Sequence, residues 1–252
     1  MLKPIIFNTE MVQAILEGRK TVTRRIADIN DEITCYDGTT NHDFVLDNFA
    51  GGTPTGFVCR KCGFGVAPPH SRVPCGTSLF RPRYWPGDVL YVRETWRIQS
   101  AHRFEADAKI EFKAGGPMTT IQFDGRCSDS HERKDYDSFI SKWWNAARHW
   151  RPSIFMPKDA ARIFLRVTHV RVERLQDITA DECPMEGVWP LAAGPVGGRE
   201  AYYKNAFAKL WDSTIPKHPN KFKSYPHYWA NNPWVWVTKF ERCEKPEELT
   251  HV

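Results

Sequence analysis

The pattern of apolar and polar positions near the N-terminus predicts a strand, a helix and a second extended segment. Residues 5–7 form a short apolar run that is typical of a strand. Asn8 is suited to cap a following helix, and Gly18 is placed to end it. The apolar residues of this helix recur at helical spacing: Met11, Val12, Ile15 and Leu16. The chain then continues as GRKTVTRR, residues 18–25, which predicts a turn into an extended segment.

Four later stretches carry clear patterns. Residues 89–92 follow a Pro-Gly-Asp turn and predict a strand. Residues 161–175 alternate apolar with polar side chains and give the clearest strand pattern of the chain. Residues 199–212 predict an amphipathic helix, and residues 234–240 predict a closing strand. Strands interrupted by short helices indicate an α+β fold, specifically a mixed, partly open β-barrel.

Composition and charge narrow the class of protein. Of the 252 residues 41% are hydrophobic, which is enough for a core and excludes a wholly disordered chain. No apolar run reaches the ~18 residues of a membrane span, and the N-terminus lacks the apolar region of a signal peptide, so we expect a cytoplasmic protein. The net charge of +5 is compatible with a polyanionic partner. There is no dinucleotide-binding GxGxxG, no Walker loop and no HExxH motif.

Residues 27–80 differ from the rest because they are rich in glycine and hold four of the seven cysteines. Cys59 and Cys62 form a C-x-x-C-G turn, whose spacing suits two thiolate ligands of one tetrahedral ion. We predict a structural zinc in a zinc-ribbon-like insertion, with free thiols or a redox pair as alternatives. His70 is the alternative to Cys35 in the predicted ligand set: Cys35, Cys59, Cys62 and Cys75.

Residues 100–149 form the second expected insertion, polar and irregular up to a helix over residues 137–150. Aromatic and cationic residues are mixed at its end: Lys142, Trp143, Trp144, Arg148, Trp150 and Arg151. Such a mixture suits single-stranded nucleic acid, because bases stack on aromatic faces and cations bind phosphates. The alternative is that these tryptophans dock the helix on the core, which we expect for one of them. The whole chain, residues 1–252, is expected to be a single domain with these two insertions.

Taken in order, five segments resemble the ASCH domain family. They are GRKTVTRR, PGDVLYVRETW (residues 86–96), ARIFLRVTHVRVERLQDIT (residues 161–179), the pair Glu186-Gly187, and NPWVWVTKF (residues 232–240). The resemblance covers roughly residues 1–26, 81–98 and 150–242. It implies a PUA-like β-barrel with short flanking helices. It also implies one of three activities, since members include RNA-binding modules, a ribonuclease and small amidohydrolases acting on N4-acetylcytidine.

By resemblance to the amidohydrolase branch, the catalytic residues are Lys20 and Thr23 of the G-x-K-x-x-T motif together with Glu186. A threonine hydroxyl needs a base to take its proton, and a lysine serves only if its pKa is lowered. Burial or the neighbouring Arg19, Arg24 and Arg25 can lower the lysine pKa. The alternative is that GRKTVTRR is a solvated basic edge that binds phosphate, or simply a charged strand. Residues three apart in an extended segment face opposite sides, so a bend must bring Lys20 and Thr23 together.

Four further residues are candidates for contacting substrate or nucleic acid. Glu94 is a second carboxylate, with a salt bridge to Arg93 or Arg97 as its structural alternative. The others precede the central strand, where Trp150 can stack on a base or pack in the core and its neighbours can bind phosphate: Trp150, Arg151 and Ser153.

Three functions are therefore open. The first is hydrolysis of an acyl group from a modified cytosine-type base or nucleoside. The second is non-catalytic binding of RNA or modified DNA through the same residues. The third is a metal-independent ribonuclease in which Lys20 stabilises charge on phosphate.

Overall fold

The computed structural model describes residues 1–27, 82–123, 134–144, 149–188, 198–215 and 227–246, and the backbone of residues 44–47, 56–59 and 65–66. The strands are β1 (Leu2–Ile6), β2 (Val22–Ile26), β3 (Phe44–Asp47), β4 (Gly56–Cys59), β5 (Gly65–Val66), β6 (Val89–Arg93), β7 (Trp96–His102), β8 (Asp107–Phe112), β9 (Thr119–Gln122), β10 (Phe164–Arg174) and β11 (Trp234–Cys243). The α-helices are α1 (Thr9–Leu16), α2 (Lys134–Trp143), α3 (Glu182–Met185) and α4 (Gly198–Thr214).

The largest sheet has five strands in the order β1-β6-β10-β11-β2. Strands β1 and β6 are parallel, whereas β6 with β10 and β11 with β2 are antiparallel, so the sheet is mixed. Two three-stranded sheets, β3-β4-β5 and β7-β8-β9, accompany it. The α+β class predicted from the sequence is confirmed. Among the described strands no pairing closes the five-stranded sheet into a barrel.

The chain divides into two compact units. The first unit comprises Met1–Gly18, Gly87–Arg166 and Glu241–Val252, and the second comprises Arg19–Pro86 and Val167–Phe240. Each unit has its own apolar cluster.

The first unit contains strands where the sequence predicts irregular structure. Residues 107–112 alternate strictly, and the inward-facing Ala108, Ile110 and Phe112 are buried in the β7-β8-β9 sheet. The expectation of an irregular segment over residues 100–150 is wrong. Charged residues alternate here with single apolar ones, and so short an alternation resembles a polar, irregular segment. Helix α1 is capped as predicted, since the Asn8 side-chain oxygen accepts a hydrogen bond from Met11 N at 2.8 Å.

The second unit packs α3 and α4 against one face of β2 and β11. Its apolar cluster joins strand residues to helix residues: Val22, Leu175, Ile178, Cys183, Val188, Phe207, Trp211, Val235 and Val237. Helix α4 confirms the predicted amphipathic helix, and Phe207 and Trp211 are its buried residues. No helix in the ranges given above is long and apolar enough to cross a membrane.

Candidate functional site

Lys20 and Glu186 are in direct contact in the second unit. Gly18, at a φ of +75°, ends α1, and the following turn is anchored because Thr21 N donates to Met185 O at 2.9 Å. Lys20 Nζ donates three hydrogen bonds of 2.8 Å, to Val22 O, to Glu186 O and to Glu186 Oε2. The Lys20 side chain is 0% exposed and that of Glu186 is 5% exposed. An ion pair is thus held almost entirely away from water.

Arg24 links Glu186 to two more carboxylates. Its Nη1 donates to Glu186 Oε1 at 3.1 Å, and its Nη2 donates to Glu173 Oε1 at 2.7 Å and to Glu182 Oε2 at 2.6 Å. Arg171 donates in turn to Glu173 Oε2 at 2.7 Å and Glu182 Oε1 at 2.5 Å. We call this set the ionic network: Lys20, Arg24, Arg171, Glu173, Glu182 and Glu186. With its residues in their usual ionisation states, its charges balance.

Local structure explains why these charges converge. Arg171 and Glu173 are two residues apart on β10 and therefore share a face of the strand. Glu182 and Glu186 are four residues apart at the beginning and just beyond the end of α3, a spacing that places two side chains on one side of a helix. The alternation of β10 predicts that its polar residues point to solvent. Arg171 and Glu173 instead contact charged side chains from other elements.

Burial and neighbouring charges shift the pKa values of several groups at this site. Burial lowers the pKa of Lys20 below its ordinary value of 10.5, although Glu186 opposes the shift. Burial would raise the pKa of Glu182, but Arg24 and Arg171 hold it below its ordinary value. Cys183 lies close by, and burial raises the pKa of its thiol to about 11. Cys183 is therefore a poor nucleophile near neutral pH.

Thr23 and Arg25 lie on the other face of β2 from Arg24. Thr23 is 0% exposed, and its hydroxyl oxygen accepts a hydrogen bond from Arg25 Nη1 at 2.8 Å. No contact described for Thr23 joins it to Lys20 or Glu186. The structure thus brings together two of the three residues that the family resemblance implies and places the third beside Arg25. Arg19 is half-buried.

Glu94 lies in the first unit and forms a separate buried ion pair. It is 1% exposed, and its two oxygens accept hydrogen bonds of 2.9 Å from Arg162 Nε and Nη2. The predicted alternative partners are wrong, because Arg97 pairs with Glu111 at 2.7 Å and Arg93 bonds the carbonyls of Ile154 and Met156. Burial raises the pKa of Glu94 against the opposing effect of Arg162.

The aromatic and cationic residues before β10 stack on one another, also in the first unit. The Arg97 guanidinium lies 4.5 Å from the centroid of the Trp150 ring, and that of Arg151 lies 4.8 Å from the Trp143 ring. Trp143 packs against buried Trp96, with ring centroids 5.5 Å apart, which confirms that one tryptophan docks α2 on the core. Trp150 is 36% exposed.

Ser153 is partly exposed and begins a short 3₁₀ turn, in which its carbonyl accepts a hydrogen bond from Met156 N at 3.0 Å. Most of the predicted zinc ligands lie outside the described residues: Cys35, Cys62, His70 and Cys75. Cys59 ends β4, of which only the backbone is described.

Among the described residues, one exposed cluster has possible metal ligands close together. His102, Glu105 and Asp107 offer atoms within 4.8 Å of one another at the turn between β7 and β8. His102 Nδ1 lies 2.8 Å from Asp107 Oδ1, so a hydrogen bond already accounts for this contact.

The sequence reasoning missed Arg162, Glu173, Glu182 and Arg171 as partners of the candidate residues. The sequence signal that existed was the charged alternation of residues 171–173, which is equally typical of a solvated strand face. Comparisons with models of known families, with curated proteins and with solved structures found no match to this chain. The resemblance to the ASCH family therefore rests on the motifs alone.

Proposed function

We propose that this chain is a PUA-like ASCH protein that recognises a nucleobase or nucleotide and removes an acyl group from a modified cytosine-type base or nucleoside. The observation that carries the proposal is the buried contact between Lys20 Nζ and Glu186 Oε2, because proton transfer needs an amine whose pKa is lowered beside a group that stabilises its charged form. The mixed five-stranded sheet supplies strands that a PUA-like barrel would use.

In the proposed reaction, the Thr23 oxygen attacks the acyl carbonyl carbon while neutral Lys20 takes the hydroxyl proton through one bridging water. The resulting ammonium is stabilised by Glu186. It returns the proton to the cytosine amino nitrogen as the carbon–nitrogen bond breaks. A water molecule then hydrolyses the acyl-threonine ester, releasing the carboxylic acid and restoring the hydroxyl.

Acetate release from N4-acetylcytidine tests the proposal. We expect the wild-type chain to release acetate and cytidine in equal amounts, and Lys20→Met and Glu186→Gln to lose at least about 100-fold in kcat/KM. Lys113→Met replaces an exposed lysine and should be as active as the wild type. Absence of acetate with the wild-type chain, or full activity in Lys20→Met, would refute hydrolysis at this site.

A second candidate function, binding of single-stranded RNA or modified DNA, is favoured by the aromatic and cationic residues of the first unit. Besides the Arg97–Trp150 stack, Lys142 Nζ lies 4.9 Å from the Trp143 ring, and Trp144 and Phe155 are 43% and 52% exposed. Fluorescence anisotropy with labelled RNA tests it: we expect affinity to fall steeply with salt and to weaken in Trp150→Ala. Cleavage of the RNA would instead identify the ribonuclease alternative.

We also propose one structural zinc held by the cysteines predicted from the sequence. Elemental analysis of the purified chain should give about one zinc per molecule. Cys62→Ser should lose the metal. Cys183→Ser, which changes a buried thiol that donates to Thr179 O, should keep it.

A further inference from the structure

Four side chains share the face of β2 and β11 that is opposite Arg24: Thr23, Arg25, Trp236 and Thr238. In the antiparallel register Thr238 is paired with Thr23, and Trp236 is paired with Arg25. Side chains of directly paired residues lie on the same face, as do residues two apart on one strand. The hydrogen bond from Arg25 to Thr23 agrees with this arrangement. Arg24 is paired with Val237 on the other face.

Thr238 has a hydroxyl with no hydrogen-bond partner among the described residues. The residue is 3% exposed, and no described residue forms a hydrogen bond with its side chain. Elsewhere on the sheet the Thr168 hydroxyl donates to Lys239 O at 3.2 Å. The Thr238 hydroxyl thus stays available to a group from outside the described part of the chain.

The neighbouring Thr23 hydroxyl also has a hydrogen-bonding position that no described residue fills. Its oxygen accepts from Arg25, and no described residue accepts its hydrogen. Paired residues on antiparallel strands have Cβ atoms roughly 4.5–5.5 Å apart, so one small polar group can contact both hydroxyls. Trp236, 8% exposed, adds an aromatic ring to the same face. The positive charge of Arg25 is close enough to Lys20 to lower the Lys20 pKa.

We propose that Thr238 contacts the substrate and donates a hydrogen bond to the carbonyl oxygen of an acylamino group carried by a planar heteroaromatic ring. This inference rests on the proposed function, because it places the acyl carbon at Thr23 and the acyl oxygen at Thr238. The carbonyl oxygen gains negative charge when the Thr23 oxygen adds to the carbon. A fixed hydroxyl donor, with the Arg25 guanidinium beside Thr23, stabilises that charge more in the transition state than in the ground state.

Substitution of Thr238 separates this role from packing. Thr238→Val keeps the shape and removes the hydroxyl, and we expect kcat/KM for N4-acetylcytidine to fall about 10- to 100-fold, mainly through kcat. Its melting temperature should equal or exceed that of the wild type. Thr238→Ser keeps a hydroxyl and should retain most of the activity. The matched control, Thr168→Val, should leave the activity unchanged. Full activity in Thr238→Val would overturn the inference.

Binding measurements separate this inference from the proposed hydrolysis. If the wild-type chain binds N4-acetylcytidine in a calorimeter but releases no acetate, hydrolysis fails, and Thr238 is then judged by affinity. Binding at least about five-fold weaker in Thr238→Val, with cytidine binding unaffected, would support the contact with the acyl oxygen. Equal binding by both proteins would overturn it. Absence of binding by the wild-type chain would overturn both proposals.

Discussion

Two carboxylates in this chain, one buried and one partly buried, have pKa values shifted in opposite directions. Glu94, in the first unit, has one cationic partner, Arg162, and burial raises its pKa. Glu182, in the second unit, has two, Arg24 and Arg171, and they lower its pKa. One arginine does not fully compensate for the lost hydration of a deeply buried carboxylate, whereas two arginines outweigh the loss at the less deeply buried Glu182.

The comparison of these two sites also distinguishes an ion pair with a structural role from a network that can take part in catalysis. The Glu94–Arg162 pair is a bidentate contact between a carboxylate and an arginine, which stays protonated, so its cationic partner cannot act as a base. The ionic network includes Lys20, whose pKa is lowered by burial. Only the network therefore offers an amine base, which is why the proposed reaction is assigned to it.

Arg24→Met should have the largest effect on stability. It removes the cation that contacts all three glutamates of the network and leaves their charges buried with fewer partners. We expect a loss of about 3–5 kcal/mol in the free energy of unfolding, measured in urea at pH 7.5. Arg242→Met, at an exposed position, is the control and should change stability by less than about 0.5 kcal/mol. A similarly small loss of stability in Arg24→Met would show that the contacts of Arg24 with the three glutamates do not stabilise the fold.

Arg162→Met should cost less, about 3 kcal/mol at pH 8, and its cost should depend on pH. Glu94 already has a raised pKa, so without Arg162 it can take up a proton and become neutral in the folded state. Urea unfolding at pH 8 and pH 5 should show a clearly smaller loss at pH 5. An equal loss at both pH values would mean that Glu94 stays charged and that the two carboxylate sites do not differ as described.

The pH dependence of stability should have opposite signs at the two sites. The folded-state pKa of Glu182 is lowered, so the unfolded chain binds more protons and the stability due to Glu182 is lost as pH falls below about 4.5. The folded-state pKa of Glu94 is raised, so stability falls as pH rises above that value. Subtracting the stability curves of Glu182→Gln and Glu94→Gln from that of the wild type should give slopes of opposite sign; slopes of the same sign would contradict the assignment.

How well the sequence predicts each feature of this molecule depends on how far apart in the chain the residues of that feature lie. Helix α1, with its Asn8 cap, and the long alternation of β10 follow from short-range patterns and are confirmed. The contact of Lys20 with Glu186 spans 166 residues of sequence and was reached only through a family resemblance. The partner of Glu94 is 68 residues away, and nearer arginines looked equally suitable.

The network was missed for a related reason. Polar residues on an amphipathic strand indicate a solvated face, and the sequence of β10 does not show that α3 supplies carboxylates to Arg171. The pairing of Thr238 with Thr23 likewise depends on strand register, which the two strand sequences leave undetermined because no hairpin turn joins β2 to β11.

The pH dependence of kcat/KM for N4-acetylcytidine tests the central claim most directly. If Lys20 is the base, activity rises with pH around a midpoint below 10.5. Glu186 raises the pKa of Lys20, so the residual activity of Glu186→Gln should have its midpoint at lower pH, while Glu94→Gln should keep the wild-type midpoint. The same midpoint in Glu186→Gln and the wild type, or no activity at any pH, would contradict a catalytic Lys20–Glu186 pair.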